Sequence, residues 1–203
     1  ATVVSGARVT PQLLKAKPEQ DSPTLAELQA QNPDVCGWLT LDDTHIDYPV
    51  VQGEDDLEYV NKAADGSFAL SGAVFLSAAN HADLSDAYNL FYGHHMENGA
   101  MFGDLTHFSE SQYFAGHTTG TLYAEGTAYE LQVFACVLTD AYDTVIYTPS
   151  TDPAALAAYI RAHAVQYRDP PEGCRIAAFS TCDDSRTNGR VAVFAALKGG
   201  ETE

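Results

Sequence analysis

The sequence predicts a mostly β protein, built as a closed or nearly closed barrel of eight strands with a helical arm at its N-terminus. Three observations predict this fold class: eight runs with strand-like alternation and β-branched content, two short polar turns between neighbouring runs, and few helical segments. A closed barrel is favoured because it leaves no strand edge exposed. The predicted strands cover residues 36–41, 45–51, 73–76, 87–92, 117–124, 127–139, 174–181 and 190–197.

The first elements along the chain are helical. Thr10-Pro11 and Ser22-Pro23 each combine a capping residue with a proline, a pattern typical of helix starts. The second pair predicts a short helix that ends near Asn32-Pro33. We therefore expect residues 1–31 to form the N-terminal helical arm and residues 32–203 to form the barrel domain.

The barrel strands are joined by tight turns and a few helical interruptions. Asp42-Asp43-Thr44 and Glu125-Gly126 are predicted hairpin turns between adjacent strands. Residues 55–60 and 101–105 are predicted to form one or two helical turns each.

The clearest helix is predicted over residues 152–163, inside the long connection before the strand that ends at Cys182. Asp152 supplies the N-cap and Pro153 takes the first helical position. One face of this helix combines four larger side chains, those of Leu156, Tyr159, Ile160 and His163. The sequence therefore predicts a helix inserted into a β scaffold.

Composition excludes several functional classes. The hydrophobic share of 45% is typical of globular proteins rather than disordered ones. Ten basic against 28 acidic residues give a net charge of −18, which disfavours nucleic acid and anionic membrane surfaces as partners. An acidic surface suits cationic substrates such as free amines, although solubility explains it equally well.

No apolar run approaches the ~18 residues that a transmembrane helix needs, and no signal-peptide pattern is present. Because the chain starts at Ala1 rather than methionine, we expect an excised ectodomain that contacts the membrane only through an anchor upstream of residue 1.

The four cysteines show no Cys-x-x-Cys spacing, so a zinc or redox motif is not predicted. Cys36 and Cys136 lie in strand-like runs and are expected to be buried as small hydrophobic residues. Cys174 follows Gly173 in a turn-like segment, where a disulfide remains an alternative.

Cys182 ends one predicted strand, and Arg190 opens the next one eight positions later. This pattern can place a thiol nucleophile beside a fixed positive charge, as cysteine acyl transfer requires. A base is available where another predicted strand ends, at His94 or His95. Asp183 and Asp184 follow the cysteine and disfavour a thiolate, so an arginine that offsets their charge makes physical sense.

The other histidines do not predict a metal centre. Their spacings match no metal-ligand pattern, and no Asp-x-Asp-x-Asp-Gly loop for calcium is present. We therefore expect no cofactor and no bound metal. The histidines considered with His94 are His81, His95, His107 and His117.

Five ordered motifs together resemble the sortase family, and specifically class B sortases. The resemblance extends from about residue 24 to residue 198. No Asp-Pro-aromatic lid motif occurs in the arm, which argues against the pilus-building class C. The motifs are Asn32-Pro33-Asp34-Val35-Cys36-Gly37-Trp38, Ile46-Asp47-Tyr48-Pro49-Val50-Val51-Gln52-Gly53, Tyr92-Gly93-His94, Met101-Phe102-Gly103-Asp104-Leu105, and Ser180-Thr181-Cys182 with Arg190.

This resemblance implies a cysteine transpeptidase on the outer face of a Gram-positive plasma membrane. Such an enzyme cuts a C-terminal sorting signal of secreted proteins and joins the new end to an amine of the cell-wall precursor, with hydrolysis as a side reaction. The family's catalytic triad falls on His94, Cys182 and Arg190, with an exchange of roles between Arg190 and Arg186 as the alternative. The implied sorting motif is of the Asn-Pro-x-Thr kind, with no calcium requirement.

The resemblance also implies substrate-binding residues. Tyr92 is expected to flank the substrate groove, and Val145 and Ile146 to line it, with packing of the barrel rim or core as the alternative for each. Ser180 and Thr181 are expected to orient the site through their hydroxyl groups, with a plain strand role as the alternative.

Three other functions remain open. A pilin-polymerising sortase would use the same triad with a lysine amine of a pilin as the acceptor. A non-catalytic barrel could bind peptides. A papain-like peptidase is disfavoured because its cysteine precedes its histidine and lies at a helix N-terminus, whereas here the histidine comes first and the cysteine ends a strand.

Overall fold

A computed structural model describes residues 24–182 and 188–199, and for Cys182 it describes the position in its strand only. The predicted mostly β architecture is confirmed. The strands are β1 (Val35–Leu41), β2 (Asp47–Val51), β3 (Val74–Leu76), β4 (Tyr88–Tyr92), β5 (Thr119–Ala124), β6 (Thr127–Asp140), β7 (Ala164–Tyr167), β8 (Arg175–Cys182) and β9 (Gly189–Lys198). The helices are α1 (Leu25–Gln31), a 3-10 helix (Gly103–Ser109), α2 (Ser111–Gly116) and α3 (Pro153–His163).

Eight of the strands close into a barrel, as predicted. They follow the order β5-β1-β2-β3-β4-β8-β9-β6, and pairing between β5 and β6 completes the ring. Each of these strands begins and ends within two residues of its predicted bounds. The ninth strand, β7, was not predicted. It pairs with Ala135, Cys136 and Val137 in the second half of β6. Its four residues directly follow α3 and are too few to show an alternating pattern.

Helix α1 begins later than the sequence predicts. Thr24, rather than Ser22, is the N-cap: its side chain accepts from the Glu27 amide, and the Glu27 carboxylate accepts from the Thr24 amide. Leu25 and Leu28 are buried against the barrel, so this part of the arm is packed onto the domain. The predicted start at Thr10-Pro11 lies outside the described residues, and the division at residue 31 stays a prediction.

Helix α3 forms as predicted. Asp152 accepts a hydrogen bond from the Ala155 amide, and Pro153 is the first helical residue. Leu156 and Ile160 are fully buried against the barrel wall. His163, predicted on the same face, is exposed and stacks on Tyr159 instead.

The two predicted helical interruptions differ from expectation. Residues 55–60 form consecutive turns rather than a helix, with the Val60 amide bonded to the Leu57 carbonyl. The second interruption is the 3-10 helix, which begins at Gly103 and continues past residue 105. No helix among the described residues is both long and apolar enough to cross a membrane.

Strands β4 and β8 are buried on both faces. Phe91 and Phe179 face the barrel interior, whereas Leu90 and Ala178 face the core beneath α3. A parallel pair covered on both sides is expected to be apolar throughout, and each fully buried leucine or phenylalanine contributes about 1.5–3 kcal/mol. These two strands therefore provide a rigid base for the residues that follow them.

Candidate active site

The parallel pair β4 and β8 brings His94 and Cys182 to one edge of the barrel. Tyr92 is the register partner of Ser180, and both His94 and Cys182 lie two residues further along the chain. The Gly93 amide donates to the Ser180 carbonyl over 3.2 Å, which continues the pairing past the end of β4. The histidine and the cysteine therefore follow the same pair of strand ends.

The antiparallel pair β8 and β9 adds the arginine to this edge. Cys182 and Arg190 are register partners, the last pair in the ladder between the two strands. The sequence alone suggested this neighbourhood, because a short connection between two strands returns the chain beside itself. Arg186, the alternative arginine, lies outside the described residues.

The ring of His94 is held by the backbone of a neighbouring loop. Its Nε2 atom lies 2.6 Å from the Val60 carbonyl oxygen. A carbonyl oxygen only accepts hydrogen bonds, so Nε2 carries the proton and Nδ1 is the ring nitrogen that can accept another. A Cβ at Gly72 would lie 3.0 Å from the ring and within 2.6 Å of two carbonyl oxygens, so only glycine fits there.

Gly93 and Phe102 fix the backbone on either side of His94. A Cβ at Gly93 would lie 2.7 Å from the Phe102 ring, so the glycine allows this close packing. The Phe102 amide donates to the His94 carbonyl over 2.9 Å. The Tyr-Gly-His and Met-Phe-Gly-Asp-Leu motifs thus belong to one packed unit.

A cavity of about 350 Å³ opens beside these residues. Four of the predicted site residues with described side chains line it together with His94: Tyr92, Ser180, Thr181 and Arg190. The remaining walls come from the loops after β2 and β6, from strand β3 and from the residue that follows β4. These walls are formed by Asp56, Val60, Phe75, Gly93, Ala141 and Tyr147.

Aromatic side chains form one wall of the cavity. Tyr92 stacks on Phe75 with ring centroids 5.2 Å apart, and on Tyr147 at 6.2 Å. The Tyr147 hydroxyl shares a 2.7 Å hydrogen bond with the Ser180 hydroxyl. Burial raises the pKa of Tyr92, as does the nearby Asp56 carboxylate, so this phenol stays neutral at physiological pH.

Thr181 contributes a buried hydroxyl group to the lining of the cavity. The residue is only 3% exposed, and its Oγ1 has no hydrogen-bond partner among the described residues.

Val145 and Ile146 do not line the cavity. Ile146 is fully buried in the core under α3, and its carbonyl accepts a hydrogen bond from Tyr88. Val145 is half-buried against the same core. Both residues therefore pack against the core, which was the alternative that the sequence allowed for them. Tyr147, one residue further along the chain, lines the cavity instead.

Sequence reasoning did not find five of the cavity residues. Tyr147 and Phe75 had a usable signal, since Tyr147 follows a predicted groove segment and Phe75 lies in a short predicted strand, where it is the register partner of Tyr92. The remaining three lie in loops whose path depends on tertiary packing: Asp56, Val60 and Ala141.

The alternative base, His95, does not face the cavity. Its backbone pairs with Met101, and its Nδ1 is buried without a partner among the described residues. The other histidines have partners elsewhere: His81 contacts Asp86, His107 contacts Glu110, and His117 contacts backbone carbonyls. Within the described part of the chain, no group of three metal-ligating side chains occurs.

The three other cysteines are free thiols whose burial disfavours the thiolate form. Burial raises the pKa of Cys36 and of Cys136 to about 12, and it also raises the pKa of Cys174. Protonated thiols are poor nucleophiles at neutral pH. Cys136 is buried as predicted, whereas Cys36 is half-buried.

Comparison with known proteins identifies the family. No protein-family model matches the chain. A curated relative, sortase B of Listeria monocytogenes, is 34% identical over 129 residues, or 63% of this chain and 52% of the relative. The chain therefore spans about half the length of that relative.

Two solved structures are similar over most of both chains. A class B sortase of Streptococcus pyogenes involved in pilus biogenesis is 38% identical, with a TM-score of 0.79 over 85% of this chain and 97% of that chain. Sortase B from the Type II pilus of Streptococcus pneumoniae is 36% identical, with a TM-score of 0.73 over 86% and 98%. With this identity across nearly their whole lengths, and with the same closed barrel, the chain belongs to the class B sortase family.

Proposed function

We propose that this protein is a cysteine transpeptidase that cleaves a C-terminal sorting signal and transfers the new carboxyl end to an amine. The observation that carries the proposal is the strand register at the end of β4, β8 and β9, where His94, Cys182 and Arg190 follow neighbouring strand ends. A nucleophile, a base and a fixed cation are the minimum set for acyl transfer through a thioester.

The first half-reaction forms a thioester and releases an amine. His94 accepts the Cys182 proton at Nδ1, and the thiolate sulfur attacks the scissile carbonyl carbon. Arg190 stabilises the negative charge that develops on the carbonyl oxygen. The carbon–nitrogen bond then breaks, and the His94 imidazolium protonates the departing amine.

The second half-reaction reverses these roles with another amine. The acceptor amine attacks the thioester carbonyl, His94 removes a proton from it, and the carbon–sulfur bond breaks to release Cys182. Water in place of the amine gives hydrolysis, which is the expected side reaction. Thr181 and Ser180 can hold the peptide through their hydroxyls, beside the aromatic wall formed by Tyr92 and Tyr147.

The proposed partners are secreted proteins with a C-terminal sorting motif and an amine of the cell-wall precursor. The proposed location is the outer face of a Gram-positive plasma membrane. A lysine amine of a pilin is the second candidate acceptor, because both solved relatives described above come from pilus systems. The thioester intermediate is the same for either acceptor.

Arg190 should act mainly on the transition state. Its side chain lines the cavity, its Nη1 donates to the Gly189 carbonyl, and no ion pair engages it among the described residues. Replacing Arg190 with alanine should lower kcat by ~10²–10³ with a smaller change in KM, as expected for loss of an oxyanion donor. Steady-state kinetics with a fluorogenic sorting peptide measure both constants.

Arg190→Lys is the informative companion. It keeps the charge but loses the planar fork of donors, so it should remain strongly impaired. Arg186→Ala is the matched control, and its kcat should fall only slightly. A large loss of kcat in Arg186→Ala together with a nearly normal kcat in Arg190→Ala would mean that the two arginines have exchanged roles.

Substrate specificity tests the family-level part of the proposal. Peptides with an Asn-Pro-x-Thr motif should be cleaved in preference to Leu-Pro-x-Thr-Gly peptides, and a chelator should have no effect. Mass spectrometry of the products with a cell-wall peptide amine or a pilin lysine as acceptor distinguishes the two candidate acceptors. A strong preference for Leu-Pro-x-Thr-Gly, or loss of activity with chelator, would contradict the class B assignment of specificity.

A further inference from the structure

The loop between β6 and α3 is organised by a single carboxylate. One oxygen of Asp143 accepts hydrogen bonds from the Thr139 hydroxyl at 2.6 Å and the Tyr159 hydroxyl at 2.7 Å. The other oxygen accepts from the Val145 and Ile146 amides, both at 3.1 Å. Asp143 thereby joins the end of a barrel strand, helix α3 and the loop itself.

The ionised form of Asp143 is the one that these contacts favour. Burial by itself would raise the pKa of the carboxyl group, but the four donated hydrogen bonds together lower it. The same contact raises the pKa of Tyr159 to about 12, so its phenol remains protonated and donates. All four partners therefore donate to a charged acceptor, the stronger kind of hydrogen bond.

This loop leads directly into the cavity wall. The Tyr147 amide donates to the Asp143 carbonyl over 3.0 Å, and the Ile146 carbonyl accepts from the Tyr88 hydroxyl at 2.6 Å. These bonds set the position of Tyr147, whose hydroxyl meets Ser180 and whose ring stacks on Tyr92. Asp143 itself does not line the cavity.

We propose that Asp143 is a positioning residue for peptide binding, which holds Tyr147 in the cavity wall and couples that wall to helix α3. The inference rests on the proposed function, since it concerns how the peptide is bound. It predicts a wall that is organised before the peptide arrives, so loss of the carboxylate should weaken binding more than it slows the chemical steps.

The test compares Asp143→Ala with Asp140→Ala, a matched control at the end of strand β6 whose carboxylate, among the described residues, accepts from the Tyr142 amide alone. Asp143→Ala should raise KM for the sorting peptide ~10-fold or more, with kcat within ~3-fold of wild type. Asp140→Ala should leave both constants near the wild-type values. The rate of Cys182 alkylation by iodoacetamide should be the same in all three proteins, because this small reagent does not need the peptide-binding wall.

Two milder variants keep the test decisive if Asp143→Ala fails to fold. Asp143→Asn retains one acceptor oxygen and should raise KM by less than alanine does. Tyr159→Phe removes one of the four donors. A KM increase of ~2–5-fold in this variant would show that helix α3 influences peptide binding through its hydrogen bond to Asp143.

Two results would overturn the inference. One is a KM in the Asp143 variants equal to that of Asp140→Ala. The other is a parallel loss of kcat and of alkylation rate, which would indicate general damage to the site. Failure of the proposed function would appear differently, as a wild-type protein that turns over no sorting peptide at all, and would remove both claims together.

Discussion

Replacing Cys182 with alanine should abolish cleavage of every accepted sorting peptide. The proposed reaction passes through a thioester, and alanine offers no atom on which that intermediate can form. A purified Cys182→Ala protein should therefore show no turnover above the rate without enzyme, measured by release of the C-terminal fragment. Its thermal unfolding should stay cooperative, because Cys182 is the last residue of strand β8.

The three remaining cysteines provide matched controls. Cys36→Ala, Cys136→Ala and Cys174→Ala should keep substantial activity, since their thiols have raised pKa values and none of them lines the cavity. Cys136 is fully buried, so its variant is the one expected to lose some stability. Full activity in Cys182→Ala would contradict the proposed thioester mechanism.

Replacing His94 with alanine should remove nearly all turnover. His94 is proposed to take the thiol proton and to protonate the departing amine, and general acid–base groups contribute typically ~10²–10⁴-fold. The bond from Nε2 to the Val60 carbonyl fixes the ring and leaves Nδ1 for this task. The loss should appear in kcat/KM for the sorting peptide.

His95→Ala is the adjacent control for this prediction. His95 does not line the cavity, and its backbone pairs with Met101, so its replacement should cost far less than that of His94. Equal losses in the two variants would leave the identity of the base undecided. A larger loss in His95→Ala would reverse the assignment.

Local sequence signals were sufficient for most of the barrel. Strands such as β8 and β9 are long, apolar and bounded by turn residues. The hairpin turn at Glu125-Gly126 has both residues at positive φ, as a type I′ turn requires. Cap and proline signals also located α3 correctly. These features depend on neighbours in the chain, which is why they can be recognised without a structure.

Features that depend on distant contacts could not be recognised in this way. Strand β7 exists because the residues after α3 pair with the second half of β6, and nothing within the four residues of β7 indicates that partner. The start of α1 depends on the capping box of Thr24 and Glu27. The sequence offers a second helix-start pattern at Ser22-Pro23, and local sequence alone does not decide between the two.

The candidate site likewise contains residues that the sequence could locate and residues that depend on distant contacts. His94, Cys182 and Arg190 stand at predicted strand ends, so their shared edge follows from strand order and register. Part of the cavity wall comes from loops, where a shift of one position decides which side chain enters the cavity. Tyr147 lines it, whereas Ile146 is buried in the core because Asp143 holds the loop in that register.

The proposed mechanism requires a covalent peptide–enzyme intermediate on Cys182. Intact-protein mass spectrometry after brief incubation with an Asn-Pro-x-Thr sorting peptide, without an amine acceptor, should detect this intermediate. The expected result is a mass increase equal to the acyl group of the N-terminal peptide fragment that ends at threonine, located on Cys182 by fragment mapping and lost on adding the amine. Peptide cleavage without any adduct, or an adduct on Cys36, Cys136 or Cys174, would contradict it.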